Sequence, residues 1–410
     1  MSGHTVNSAA SRGDWQRGRV QLSPASGHPT GGQLKPSPPK RPYNQMPTST
    51  QLAADRTLIP LWDPAVPFPD AREMPDLEVV THVAIERAQP GRYHYLHEPS
   101  IAWHRDRFYL CWANHPTHES NISDEVIRGR TSMDGIHWSE PSVWVAAPQV
   151  GCASFNHPVI FAHGDELLGF FVGWRDERPT TEIFRLDEAT GEWQYLEASI
   201  PEFLPFCPPQ RMADGNWIIG GELYWFEAAV AISHGDDLTQ WETVPLPRPE
   251  DLKLIFPETA IINRGDSLLA FCRPQHTQTA PVSESRDGGR TWSELALSNF
   301  PLCASQPFTG TLSTGQQYLL TDNLEEGRCL LSIAVTGPEG GLFRRIFKLR
   351  HQQWPQIRLF GGWGEGSRVG MPTEWSYPSA IERDGNLYIA YTQGKEDCAL
   401  SIVPLASLSL

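Results

Sequence analysis

The chain has 410 residues, 33 basic and 48 acidic, for a net charge of −15. That balance argues against nucleic acid or an anionic membrane as partner, because both reward clustered Lys and Arg, although a few local arginines can still hold a small anion. Apolar residues make up 40% and aromatics 10%, while 34 Gly and 36 Pro interrupt the chain too often for long helices and favour many short strands.

Seven cysteines are scattered singly, with an odd count and no CxxC pair, so neither a disulfide framework nor a zinc site is signalled. No cofactor motif is present. The N-terminus lacks an apolar signal-peptide core and no apolar run could span a bilayer, which gives the expectation of a cytoplasmic protein.

In chain order, residues 1–50 are rich in Ser, Pro, Gly and Thr and are expected to form a disordered tail, because they cannot bury enough surface to offset ordering entropy. Residues 51–410 are read as one domain. Leu77 to Glu86 is a strand pattern with no partner nearby. Six copies of one unit follow: Pro, a short apolar strand, a Gly or Asp turn, a second apolar strand. They begin at Pro99, Pro158, Pro209, Pro257, Pro307 and Pro378, at intervals of 48 to 59 residues except for a last interval of 71. The long interval leaves room for an inserted loop, Gln352 to Thr373. A period near 50 with a hairpin in each unit predicts an all-β fold, a six-bladed β-propeller with four strands per blade. Too little chain follows Pro378 for four comfortable strands, so Leu77–Glu86 is expected to complete the last blade and close the ring without open edges.

The stretch Ser285-Arg286-Asp287-Gly288-Gly289-Arg290-Thr291-Trp292 fits S-x-D-x-G-x-T-W at every specified position. A copy one residue short runs Ser132 to Trp138, and a weaker one Ser233 to Trp241. These resemble the Asp box, or BNR repeat, of sialidase-like six-bladed propellers, over roughly residues 77 to 409. The box is structural: Asp and Ser bond turn backbone, Gly permits positive φ, and Trp packs between blades. Propellers of this kind include hydrolases, lyases and non-catalytic binders, so function must come from the site.

Innermost propeller strands all run the same way, so their starting ends ring one mouth. Read in order, that ring is His94, His97-Glu98, Asn156-His157, Gln210-Arg211, Glu258, Gln306 and Tyr377. The second strand of each unit returns to the same mouth and adds His115, His118 and Glu119, then Arg175, then Glu222, then Arg273 with Gln275-His276, then Asp322-Asn323 with Arg328. HxxHE is no firm ligand spacing without a third partner, so no metal is assigned. Taken singly, Tyr377 could be a core tyrosine, His97 and His157 structural histidines, and the arginines ordinary surface residues.

The resemblance implies more. Tyr377 stands where sialidases carry their nucleophilic tyrosine, and Arg273 and Arg328 match two of the three arginines that clamp a carboxylate. Where sialidases open blade one with Arg-Ile-Pro, this chain reads Leu96-His97-Glu98-Pro99, so His97 replaces an arginine. Glu119 and Asp124 are nearest to the sialidase catalytic acid. A first-blade histidine is similar to propeller enzymes that release rhamnose from glucuronic acid. In the lyase version His97 would be the base, Arg211 or Arg273 would neutralise the uronate carboxylate, and Tyr377 would donate a proton. The expectation is therefore a carbohydrate-active enzyme, an exo-glycosidase acting on a terminal or acidic sugar of an oligosaccharide or glycan. Tyr377, His97, Glu258 and Glu119 would carry catalysis; Arg273, Arg328, Arg211, His157, Gln306, Glu222 and His115 would bind substrate. The alternatives are a lyase at rhamnose–glucuronate linkages and a non-catalytic glycan- or protein-binding propeller.

Overall fold

Proline and glycine turns cut the chain into strands that pair locally, and among the described residues these form six antiparallel sheets taken in chain order. The computed structural model describes residues 58–409 apart from 122, 225, 275–278, 323–327, 352–355, 363–367 and 373. The tail read at 1–50, Gln275-His276, Asn323 and about half of the insertion lie outside the described residues. No helix among them is long and apolar enough to cross a membrane.

Blade one is Tyr95–His104, Arg107–His115, Val126–Ser132 and Ser142–Val145. Blades two, four and five repeat that plan from inner strands Ser154–His163, Ala260–Asn263 and Phe308–Thr311. Blade six holds Trp375–Arg383, Asn386–Gln393 and Asp397–Pro404, and its outermost strand is Thr81–Glu86 from the other end of the chain. Thr81 pairs with Ile402 and Glu86 with Cys398, antiparallel, so the ring is latched as the sequence leads one to expect.

Blade three departs from the repeat. Its inner strand is broken into Phe203–Pro205 and Gln210–Arg211 by Phe206-Cys207-Pro208-Pro209, because two successive prolines have no N–H to give a ladder. Leu204 faces Glu222 while Arg211 faces Trp217, so the strand begins six residues before Pro209.

Each seam between neighbouring blades carries its own apolar cluster. Phe108, Leu400 and Tyr388 fill the seam of blades six and one; Ile218, Ile261 and Trp292 fill that of blades three and four. A buried side chain of this size contributes roughly 1.5–3 kcal/mol. Between blades four and five a segment absent from the repeat pattern adds Leu61, Trp62 and Met74 to Phe271, Phe300 and Phe343. Asn299 pins it, accepting from the Leu61 and Trp62 N–H groups at 2.8 and 2.9 Å.

The Asp boxes occupy the turns between third and fourth strands. Asp287 Oδ1 accepts from Arg290 N at 3.1 Å, Thr291 N at 2.9 Å and Ser285 Oγ at 2.9 Å, while the Trp292 indole donates to Gly289 O at 2.8 Å. Asp134 and Trp138 repeat the arrangement in blade one. Third strands run parallel to the inner ones, so these turns sit at the end of the channel where inner strands finish.

Candidate functional site at the channel mouth

At the opposite end, where inner strands start, one device recurs. The proline that follows the mouth residue cannot donate to the ladder, so pairing breaks between His97 and Ser100, Asn156 and Val159, and Ser376 and Ser379. The residue before each proline is thrown into the left-handed region: Glu98 at φ 57°, His157 at 42°, Tyr377 at 56°; Glu258, just after Pro257, lies at 28°. Such backbone costs roughly 1–3 kcal/mol per residue, and the four polar side chains it carries meet in pairs, Tyr377 with Glu258 and Glu98 with His157.

Tyr377, Glu258 and Arg273 form one unit. The Tyr377 hydroxyl donates to Glu258 Oε1, and Arg273 Nη1 donates to the same oxygen at 2.6 Å and to the Tyr377 hydroxyl oxygen at 3.2 Å. Burial and the adjacent Glu258 carboxylate push the phenol well above its ordinary range. The Arg328 guanidinium lies 5.5 Å from the Tyr377 ring centroid and donates to Ala304 O at 2.9 Å. On the other side of Tyr377 the His97 ring is 4.0 Å away, with Nδ1 3.0 Å from Thr392 Oγ1 and Nε2 without a partner among the described residues. Burial, then the charges of Lys395 and Arg328, hold that imidazole well below its usual range, so it is neutral. Glu222 Oε2 accepts the Glu258 N–H at 3.3 Å; burial and the neighbouring Glu258 raise its carboxyl to about 8. Gln306 spans to blade three, donating to Phe206 O at 2.9 Å. Asp322, also buried, is raised to about 7.

A second group fills the side of blades one and two. Glu98 Oε2 accepts the His157 backbone N–H at 2.7 Å, and its Oε1 is 3.3 Å from His157 Nδ1. Burial and Lys395 lower the His157 imidazole to about 3. Glu119 is bound to Lys395 Nζ at 2.6 Å. Glu125 is fully buried, takes a bond from Asn156 Nδ2 at 3.1 Å through Oε2, and is held well above the carboxylate range by burial and then by Glu98 and Glu119.

Arg211 does not join them. With blade three beginning at Phe203, Arg211 is carried to the finishing end of its inner strand, where it is exposed, paired with Asp236 at 2.8 Å and 5.6 Å from the Trp217 ring. Gln210, its neighbour, is spent on Ile261 O at 2.7 Å. The mouth position of blade three is instead Phe206-Cys207, and Phe206 packs edge-on to His157 at 5.2 Å. His115 lies at the mouth end of its strand, but its Nδ1 accepts the N–H groups of Thr117 and His118 at 3.1 Å each, which ties it to its own turn. Arg175 is engaged by Glu182 at 2.5 Å. Lys395, Thr392, Glu125 and Glu374 were not singled out by sequence reasoning. Lys395 lies in the turn Gly394-Lys395-Glu396, which reads as solvent-facing yet is buried.

Comparison with known proteins accords with this architecture. A family described as BNR repeat-like domain matches residues 106–389. A Dyadobacter fermentans protein of unknown function superposes with TM-score 0.60 at 16% identity, covering 80% of this chain and 99% of that one. The Hadza microbial sialidase Hz136 gives TM-score 0.62 at 12% identity, over 80% and 69%. Trypanosoma rangeli sialidase with the inhibitor DANA gives 0.57 at 14%, over 81% of this chain and 60% of that one. At these identities the likeness is one of fold. No curated protein sequence matches the chain.

Proposed function

The chain belongs to the BNR repeat-like domain family, and on that premise we propose an exo-acting glycosidase that releases a terminal acidic sugar from a glycan. The observation that carries the reading is the Tyr377–Glu258–Arg273 unit, a buried phenol whose proton already points at a carboxylate. A phenol raised by burial is a poor nucleophile until its proton leaves, and Glu258 Oε1 receives it as the Tyr377 oxygen bonds to the anomeric carbon. The bond from that carbon to the leaving oxygen breaks, and water later cleaves the tyrosyl glycoside by the reverse path. Tyrosine in the nucleophile's place is a known departure from the two-carboxylate plan of glycosidases. Arg273 Nη1, bonded to both Glu258 Oε1 and the Tyr377 hydroxyl oxygen, holds the carboxyl aimed at the phenol. Arg273 and Arg328 together supply the positive charge that an acidic sugar requires. Trypanosoma rangeli sialidase is recorded in complex with sialic acid, which supports an acidic sugar here.

One observation favours a second reading, β-elimination at a uronate: His97 is neutral, buried and has an Nε2 unpartnered among the described residues, the state a proton-abstracting base needs. Arg211 drops out of that scheme and Arg273 alone would neutralise the carboxylate.

The test is a panel of chromogenic glycosides of sialic, glucuronic and related terminal acidic sugars. Turnover that Tyr377→Phe reduces by about 10⁴-fold with unchanged binding is expected of a lost nucleophile. An unsaturated product absorbing in the ultraviolet would select elimination, and full activity of Tyr377→Phe would overturn the hydrolase reading.

A further inference from the structure

The mouth holds two carboxyls on the left-handed starts of inner strands, and their surroundings differ in kind. Glu258 is bonded to the Arg273 guanidinium at 2.6 Å and takes the Tyr377 proton. Among the described residues, Glu98 has no cation as a bonded partner. Its oxygens meet a backbone N–H and the Nδ1 of a half-buried imidazole. Glu119, the acid candidate by sequence, is in the opposite position, bonded directly to a cation, Lys395 Nζ, at 2.6 Å.

We propose that Glu98, backed by His157, is the proton donor to the leaving oxygen, and that Glu119 is not. The assignment rests on the glycosidase reading above and adds the acid to it. Three features carry it. Glu98 occupies in blade one the position that Tyr377 occupies in blade six, and these blades are neighbours across the latch, so both groups face one stretch of the channel. The left-handed backbone at Glu98 and at His157 lies in the bulges that interrupt their strands, and in both it sets the side chain at the mouth, as it does for Tyr377. Glu98 faces an imidazole and a backbone N–H, whereas Glu258 faces a guanidinium and a phenol, so the two environments suit the carboxyls to opposite roles.

The groups facing Glu98 agree with this. Glu119, Glu125 and Glu258 repel its charge; Lys395 attracts it, and also opposes any charge on His157. Burial leads these influences and holds the Glu98 carboxyl above the ordinary range.

In the step, the Glu98 O–H bond breaks and its proton passes to the glycosidic oxygen as that oxygen takes the electron pair of the breaking C–O bond. The resulting carboxylate keeps the His157 N–H and, in the second half, accepts a proton from the water that attacks the tyrosyl glycoside.

Two measurements on the full chain test this. Infrared difference spectra near neutral pH, wild type minus Glu98→Gln, should show the loss of a protonated-carboxyl stretch. Loss of a carboxylate band alone would overturn the proposal, whatever the substrate. If Glu98→Gln does not fold, His157→Asn replaces it: the protonated band should shift in frequency, and an unmoved spectrum would overturn the proposal. The second measurement compares 4-nitrophenyl with alkyl glycosides of an acidic sugar the wild type hydrolyses. Glu98→Gln should lose about 10²-fold more on the alkyl substrates, which need an acid, while Glu119→Gln loses equally on both. The reverse pattern overturns the assignment. Failure of Tyr377→Phe to affect turnover would sink the glycosidase reading and leave the infrared result standing on its own.

Discussion

Asp287, at the finishing end of blade four, is exposed and takes four bonds from Ser285, Arg290 and Thr291, all within its own turn. Glu222, at the mouth of blade three, is buried, meets a backbone N–H of the next blade, and sits beside a second carboxylate. The Thr291 hydroxyl and N–H lower Asp287 to about 2, whereas burial and then Glu258 raise Glu222 to about 8. Both ends of the channel are rich in carboxyls, but among the described residues the mouth leaves several of its polar groups short of partners. Among the described residues, His97 Nε2, Glu125 Oε1, Glu258 Oε2 and Arg273 Nε have none. A group satisfied by its own turn organises that turn. A group held by several blades with bonds to spare is available for a ligand.

The contrast can be broken most severely in opposite currencies. Tyr377→Phe should abolish turnover while shifting stability by less than about 1 kcal/mol, since only a hydroxyl is removed. Trp292→Ala should cost about 3–5 kcal/mol in denaturant unfolding and leave ligand affinity of the folded fraction unchanged, because the indole fills the seam of blades three and four away from the mouth. If Trp292→Ala weakened binding without weakening the fold, the two ends would not be separate.

The pH dependence of stability should differ in sign between the ends. Glu222 and Asp322 have folded pKa values raised to about 8 and about 7, so their contribution is full below the ordinary carboxylate range and is lost as pH rises toward those values. Asp287 is lowered to about 2, so its contribution is full above the ordinary range and is lost as pH falls toward that value. Thermal unfolding across acid and neutral pH should therefore show Glu222→Gln flattening the loss on the alkaline side, and Asp287→Asn flattening only the loss on the acid side. Equal effects on both sides would remove the distinction. The smallest change is expected of Asp287→Asn near neutral pH, a fall in Tm of roughly 2 °C, because Asn keeps the shape and some of the bonds.

The repeat made most of this fold legible. A proline before each inner strand marks both the period and, in blades one, two and six, the residue the bulge turns inward; Glu98, His157 and Tyr377 could be located for that reason. Blade three misled the reading because Pro208 and Pro209 fall inside its strand, which moved the apparent start and promoted Arg211 from the far end. Lys395 and Glu125 were missed because charged residues in turns ordinarily face water, and their burial depends on neighbouring blades. The Leu61–Trp62 strap carries no periodicity, and only the groove it fills gives it meaning.

The central claim is that Tyr377 attacks the sugar. An activated fluoro-glycoside of a terminal acidic sugar, incubated with the protein and followed by peptide mapping, should leave the sugar covalently attached to the peptide containing Tyr377. The adduct should be missing in Tyr377→Phe and in Glu258→Gln. Turnover of the corresponding glycoside with no adduct, or an adduct on any other residue, would contradict the account.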